Sequence, residues 1–553
     1  MKCLYYCSSV ILVVFYGVFD LIDKLNNFSI IFSAGFFFTL IFFSTITIIS
    51  GILGMIWLNS FAVLVISFVV TCFFFTNFEL QNIKISPWIS VLSLIAFIML
   101  IYPVLIITPF FPASADAITS TVVRILGDQI PSTMAPFTEL DLGYQIGFPL
   151  LVNVFSDLFN FMPDYLWAWI LSAFFGVAQL IGIYLFTSEY FSDKLAGTWA
   201  AILFLGSKLV FENHYVGEYS WEAATALMIF SFYFILKKNN AFIFTLPVFV
   251  SMHPAVALNA IILSPLIIPK MDLKIITKIV VSMALAFPAL LINYLPIAIN
   301  LLSGSISSGE SPHGILYYLS ILPPWIGLVP ISVFMLLVLF FFMKRIVFST
   351  KLIIVIATTT IGFAAYLIFG QLSIMLVGRV VEVISIGIIV SAGYMLSSIK
   401  LDKKKSKAIA FTVLLLVLVV FSSSSILNHY RSGSKISPDE AAFAIEFKNF
   451  DPELEPVLFL SQNPGKIAEF SNKIPYTIGS AHTISLVKLL YYGNVTEVIS
   501  NRYKNREEIL NGCIECIDNL NVKYVVVNKE YTEIKPTYKE IFSSGKFSVY
   551  YKE

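Results

Sequence analysis

Residues 113–147 read ASADAITSTVVRILGDQIPSTMAPFTELDLGYQIG, and this stretch decides how the rest of the chain is read. It lies between apolar segments, yet it carries acids, amides, hydroxyls and Arg124. Unpaired polar groups inside lipid are too costly for such a stretch to lie there. It is therefore a loop on one face of a membrane protein, with Asp116 at the mouth of the preceding span. With its flanks, 109–163, it is expected to form the active-site loop. The remainder then serves as scaffold and substrate cavity.

The composition agrees. Of 553 residues, 58% are hydrophobic and 12% charged, whereas soluble domains run at about 45–50% apolar and about 25% charged. A formal charge of +1 gives no sign of a nucleic-acid partner or a polybasic membrane-surface interaction, and none is expected; the expected surroundings are the lipid bilayer. Of the five cysteines, Cys3, Cys7 and Cys72 fall in or beside apolar segments and read as packing residues. The run Leu4–Phe19 has one Lys before it and no clear cleavage site, so no cleaved leader is expected.

Spans of about 20 apolar residues are expected at Leu4–Phe19, Phe28–Ser50, Leu53–Phe75 and Trp88–Ile107. After the loop come Leu166–Phe186, Leu195–Phe211 and Trp221–Leu236. Ala241–Ile268 is broken by Pro247 and by His253-Pro254, and should make two short helices on one side. Ile279–Leu302, Ile326–Met343, Leu352–Gly370, Val377–Ser397 and Ile409–Ser425 follow. Lys and Arg collect on the cytoplasmic side. The basic loops 237–238, 270–278, 344–351 and 400–407 all fall on one side in this order of spans. The Asp116 loop, the loops near Glu212 and Glu310, and the C-terminal region then share the other side. Tyr144–Asn160 breaks the alternation as a span and reads as a helix lying on the outer leaflet.

After Ser425 the chain becomes charged, and short apolar strands alternate with helices: Val457–Leu460, Lys466–Asn472, Arg506–Asn519, Lys523–Asn528 and Phe547–Tyr551. The expected fold is an α-helical polytopic membrane protein of about 12–14 membrane segments with a C-terminal extracytoplasmic α/β domain. The domains are 1–430 and 431–553.

Candidate chemistry sits at the outer loops. Asp116 is an ionisable group at the membrane edge, a functional position by default; its plainer reading is a first-turn acid behind a Ser114 cap. Asp141 belongs to the same loop. In FENHYVGEYSWE, Glu212 and His214 stand one residue apart, where a carboxylate and an imidazole can share one divalent cation, Mg2+ or Mn2+. The plainer reading there is a polar turn between helices. Glu218 and Glu222 follow at i and i+4. Arg379, in IMLVGRVVEVISIG, offers a guanidinium that matches phosphate geometry. Glu382, one turn on, pairs with it or orients it. His253 sits at the proline break and reads as a satisfied polar contact before a catalytic one. Glu310 lies in the Ser- and Gly-rich SGSISSGESPHG, a gating loop or a linker. Cys513 and Cys516 form CIEC, a local disulfide or two thiols.

The order of these parts resembles the C-type integral membrane glycosyltransferases, which include protein mannosyltransferases, aminoarabinose transferases and oligosaccharyltransferase catalytic subunits. The likeness rests on four features in sequence: an acid past an outward helix, a long outer loop, GYQIGFPLLVNVF at 143–155, and LFTSEYFSDKLAGTWAAIL at 185–203. It covers 88–425 in architecture. It implies a polyprenyl- or dolichyl-phosphate-linked sugar donor and an acceptor hydroxyl. It implies Asp116 as general base, Arg379 on the lipid phosphate, Glu212 and His214 at a metal-binding acidic pair, and Glu310 in a mobile loop. The chain departs from the oligosaccharyltransferases: it has no Trp-Trp-Asp motif and a lone Asp in the first loop. A simpler lipid-phosphate-sugar transferase is therefore expected. The competing readings are a transporter or lipid flippase, and a non-catalytic subunit of cell-surface polymer assembly.

Overall fold

A computed structural model describes residues 26–54, 56–106, 133–134, 137–141, 146–207, 214, 219–285, 287, 291, 331, 333–335, 338, 349–371, 377–399, 437–462, 464–477 and 495–552, the side chains of 26–28, 103–141, 254, 285, 369–379, 466, 469 and 495–499 excepted. Among these, α1 (Asn26–Leu53), α2 (Ser60–Asn77) and α3 (Pro87–Ile106) lead to the loop. A short hairpin, β1 (Thr133–Met134) with β2 (Phe137–Asp141), lies within the loop. Then come α4 (Gly147–Leu158), α5 (Asp164–Phe191), α6 (Lys194–Leu205), α7 (Tyr219–Leu236), α8 (Phe242–Met252), α9 (Pro254–Leu263) and α10 (Leu273–Leu285). The last membrane helices described are α11 (Thr350–Gln371) and α12 (Val377–Ser398). Six of the described helices are long and apolar enough to cross a membrane. The expected spans at Leu4–Phe19 and Ile409–Ser425 lie outside the described residues, as does most of Ile326–Met343.

α7 is the centre of the bundle. Each of its residues from Tyr219 to Leu236 is buried, and α5, α8, α9 and α4 pack around it. Small residues bring helices close where lipid supplies no hydrophobic drive between them. A Cβ on Gly393 would stand 2.8 Å from the Ala196 carbonyl oxygen and 2.9 Å from the Ala200 Cβ, so α12 lies directly on α6. Pro247 is accommodated inside α8, and the real break falls at His253-Pro254. There Pro254 takes the first helical position of α9, where a missing N–H costs nothing.

α4 differs from the expected surface helix. At 12 residues it is too short to span, but Gly147 to Val152 are buried against the bundle rather than laid on lipid. The reason is its composition: its first half, GFPLLV, is apolar all round and goes into the bundle, while Asn153, Ser156 and Asp157 keep the second half partly exposed.

The two ends of the bundle are distinct. At one end Lys237 pairs with Glu189 at 2.8 Å, Lys238 pairs with Asp272 at 3.1 Å, and the Tyr190 hydroxyl donates to the Lys351 carbonyl at 3.2 Å. Three of the four basic loops therefore meet there. At the other end sits the C-terminal domain: Phe470 packs on Tyr165 of the first turn of α5, with ring centroids 5.3 Å apart. Its helix α15 touches β2 of the Asp116 loop.

That domain comprises α13 (Pro438–Phe450), β3 (Pro456–Leu460), α14 (Pro464–Phe470), β4 (Ile474–Pro475), α15 (Val495–Leu510), β5 (Tyr524–Asn528), β6 (Lys539–Ser544) and β7 (Phe547–Tyr551). The sheet order is β4-β3-β5-β7-β6, with β3 parallel to β4 and β5, and β7 antiparallel to β5 and β6. Side chains alternate across it. Val457, Phe459, Tyr524 and Val526 face Phe443 and Phe447 of α13, while Leu458, Leu460, Val525 and Val527 face Ile509 and Ile517. Burial on both faces explains why YVVVN reads as a continuous apolar run. Ser437 and Glu440 close a reciprocal cap at the start of α13. Cys513 and Cys516 form a disulfide in a 3-10 turn after α15.

Candidate functional site

A buried polar layer crosses the bundle near the end that carries the Asp116 loop. It is built from the first half of α5, the first turn of α7, the second turn of α12 and the α8–α9 break. Glu222, in the first turn of α7, is fully buried. Ser172 of α5 donates its hydroxyl to Glu222 Oε2. Nδ1 of His214 stands 2.9 Å from Ser172 Oγ and 3.3 Å from Glu222 Oε2. Gln179 donates to the Glu222 carbonyl at 2.8 Å. The Trp169 ring covers His214 at 4.1 Å between centroids, and its N–H is fixed on the Leu100 carbonyl of α3 at 3.0 Å.

The neighbouring residue opens a second cluster. Trp221 donates its indole N–H to Oε2 of the buried Glu382 at 2.7 Å, and Asn259 of α9 donates to the same oxygen at 3.2 Å. His253 lies beside Trp221, ring centroids 6.4 Å apart, and its Nδ1 accepts from the Ala255 N–H at 3.2 Å, capping α9. The loop exit is locked to the same place. A Cβ on Gly147 would stand 3.0 Å from Met252 Cγ and 3.2 Å from its Cα. A larger residue there would push Met252 back by a few tenths of an ångström, so glycine favours this close start of α4 at the α8–α9 break.

Buried carboxylates require donors: Glu382 has Trp221 and Asn259, and Glu222 has the Ser172 hydroxyl with His214 Nδ1 beside it. The arrangement fixes where α5, α7, α9 and α12 end beneath the loop. Arg379 belongs to the first turn of α12, one turn before Glu382, so the second cluster sets the position of its backbone. The Arg379 side chain lies outside the described residues, as do Asp116, Glu212, Glu310 and the side chain of Asp141. Of the expected site residues, His214 and His253 are thus placed in full, in adjoining clusters. The expected Mg2+ or Mn2+ site finds only a partial donor set. His214 Nδ1 is directed at Ser172 and Glu222, and no group of three or more His, Cys, Asp or Glu comes together among the described residues.

The chain shares a fold with a solved glycosyltransferase. A mutant form of the arabinofuranosyltransferase AftD from Mycobacteria matches 84% of this chain at a TM-score of 0.51 and 13% identity. This chain spans 41% of AftD's length. A second AftD structure matches at a TM-score of 0.48 and 13% identity, over 84% of this chain and 40% of that one. The archaeal oligosaccharyltransferase AglB from Archaeoglobus fulgidus, described in complex with an inhibitory peptide and a dolichol-phosphate, matches at 0.37 and 13% identity, over 80% and 69%. No protein-family model matches the chain, and no curated protein does.

Ser172, Gln179, Trp169, Trp221 and Asn259 are members of the layer that the sequence reading passed over. A signal existed for two of them: Gln179 and Asn259 are amides within apolar helices, and buried polar groups in a membrane need a partner. The tryptophans carried no such signal, because an indole in a span is ordinary packing until its N–H is located.

Proposed function

We propose that the chain is an integral membrane glycosyltransferase of the C type. It moves a sugar from a polyprenyl- or dolichyl-phosphate-linked donor to an acceptor hydroxyl. The face used is the one opposite the basic loops, taken as extracytoplasmic. The observation that carries this reading is the pair of buried carboxylate clusters directly beneath the loop exit, in a bundle that shares its fold with AftD.

In this reading the acceptor hydroxyl loses its proton to Asp116 as its oxygen attacks the sugar's anomeric carbon. The bond from that carbon to the phosphate oxygen breaks, with inversion. The electron pair stays on the lipid phosphate, which leaves without a general acid. The Arg379 guanidinium holds the phosphate, and Glu382, held by Trp221 and Asn259, positions the helix that presents it. Glu222 and His214 hold the floor of the loop. Glu212 and Glu310 act from the flanking loops. A divalent cation bound through Glu212 would add positive charge at the phosphate.

The test is release of prenyl phosphate from a prenyl-phosphate sugar by the purified protein, with a soluble alcohol as acceptor. Release that depends on protein and acceptor supports the reading. Movement of the intact donor between leaflets with no release supports a flippase instead.

A further inference from the structure

The motif at 185–203 does not reach the polar layer. It turns at the opposite end of the bundle, where α5 stops on Ser192 and α6 starts on Lys194. Three helix ends meet there, and each chain turns back through a left-handed residue: Glu79 after α2 (φ 52°), Ser192 after α5 (φ 59°) and Lys238 after α7 (φ 56°). Between them lies a cleft of about 840 Å3. Small-molecule sites typically occupy about 300–1,000 Å3. Tyr184, Ser188 and Tyr233 line it from the helices. Lys84, Lys194, Lys237 and Lys238 line it from the chain ends.

The charges there are unequally satisfied. Lys237 is paired with Glu189, and Lys238 with Asp272. Lys84 and Lys194 form no ion pair among the described residues, although both line the cleft. Glu79 is the remaining acid on its wall, and it accepts from the Asn82 amide at 3.3 Å. Lys237 and Lys238, at the C-terminus of α7, have an ordinary reason, the negative end of the dipole; Lys194, the first residue of α6, does not. That reason needs no cavity. Here the helix ends stand apart around a polar cleft at the level where the spans stop. That is where lipid headgroups lie.

We infer that this cleft binds a phosphate-bearing ligand, the headgroup of an anionic lipid of that leaflet, through Lys84 and Lys194. This inference does not depend on the proposed transferase activity. The test uses the full chain in nanodiscs of mixed phosphatidylglycerol and phosphatidylcholine, with retained lipid counted by native mass spectrometry. Wild type is expected to retain phosphatidylglycerol over phosphatidylcholine. Lys84→Gln with Lys194→Gln should lose about 10-fold or more of that retention. Lys270→Gln with Lys274→Gln, in a basic loop off the cleft, should keep it. A parallel arm adds inorganic phosphate to the lipid-depleted protein in neutral detergent. A rise in melting temperature in wild type but not in the Lys84/Lys194 variant supports the phosphate site and makes its ligand a soluble phosphate. No preference for phosphatidylglycerol and no effect of phosphate would overturn the inference. So would an equal loss in the control pair, which would reduce the effect to general surface charge.

Discussion

Trp221 and Glu382 are joined by one hydrogen bond, the indole N–H to Oε2 at 2.7 Å, and through it the central helix α7 is tied to α12. Trp221→Phe keeps most of the ring's packing and removes the donor. A buried carboxylate that loses a donor costs about 1–3 kcal/mol, so the melting temperature should fall. Because Glu382 positions the helix that carries Arg379, donor KM should rise several-fold while the chain stays folded. A Trp221→Phe protein with unchanged KM and melting temperature would show that this bond positions nothing.

Arg379→Lys keeps the charge but loses the planar fork that matches a phosphate. Donor binding is expected to weaken by about 10-fold or more, the scale of one charge-assisted hydrogen bond. Equilibrium binding of a non-hydrolysable prenyl-phosphate sugar analogue reads this directly. Normal binding by the Lys variant would remove Arg379 from the donor site.

Topology is open to a simple labelling test. Lys238 and Glu530 are both exposed and belong to opposite ends of the protein. In a background with Cys3, Cys7 and Cys72 changed to Ser, Glu530→Cys should react with a membrane-impermeant maleimide on intact cells, and Lys238→Cys should react only after lysis. Labelling of both, or of Lys238→Cys alone, contradicts an extracytoplasmic C-terminal domain.

Much of this order was legible in the sequence, and particular residues show why. The positions of Lys237, Asp272 and Lys351 placed the basic loops together, because charge at helix ends follows the membrane's own asymmetry. The break at His253-Pro254 was legible because proline states its geometry locally. The apolar run at Lys523–Asn528 announced a strand, and burial on both faces is what makes it apolar throughout. What stayed hidden was contact across sequence. Ser172, His214 and Glu222 meet through three different segments, and Trp221 reaches Glu382 over 161 positions. No periodicity encodes such meetings. The depth of α4 was missed for a related reason: length excluded a span, but only packing partners distinguish a buried short helix from one lying on lipid.

The C-terminal domain should show two pH limits. Burial pushes the Asp451 carboxyl up, but the hydrogen bond from the Tyr524 hydroxyl, the Glu453 N–H and the charges of Lys473 and Lys523 together bring it below its ordinary 3.8. Its contribution is therefore present above about pH 4 and lost as pH falls through the lowered value. Burial, and then the bond to Asp451, pushes the Tyr524 phenol from 10.0 up to about 12. A raised acid stabilises below its unfolded value and loses that contribution as pH rises toward 12. Lys473 acts the other way, because burial holds it below 10.5 and its cost is relieved as pH rises toward that value. The net alkaline loss therefore falls between 10.5 and about 12. Amide exchange of β5 in the full chain should accelerate in both windows. Tyr524→Phe should shrink the alkaline window, leaving the part due to Lys523, which its hydrogen bond to Glu455 holds above 10.5, and to the buried Tyr550 phenol, and should move the onset of the acid one upward. Unchanged exchange profiles in that variant would disprove the coupling.

Asp116→Asn separates the two readings of the loop. Asparagine keeps the shape and most hydrogen bonding but has no carboxylate to accept a proton. If Asp116 only caps or charges a first helical turn, the change should cost about 1 kcal/mol or less, with turnover near wild type. If it is the general base, turnover should fall by about 10²–10⁴-fold at unchanged stability. The assay is release of prenyl phosphate from a prenyl-phosphate sugar, with the melting temperature measured on the same sample. Donor affinity should hold, because Arg379, not Asp116, is assigned to the phosphate. A loss of turnover without loss of affinity or stability is the expected result. A stable Asp116→Asn protein that turns over normally would leave the acceptor's proton to another group. The polar layer around Glu222 and Glu382 would then be the next place to search, since it holds buried carboxylates beneath the loop exit at Gly147.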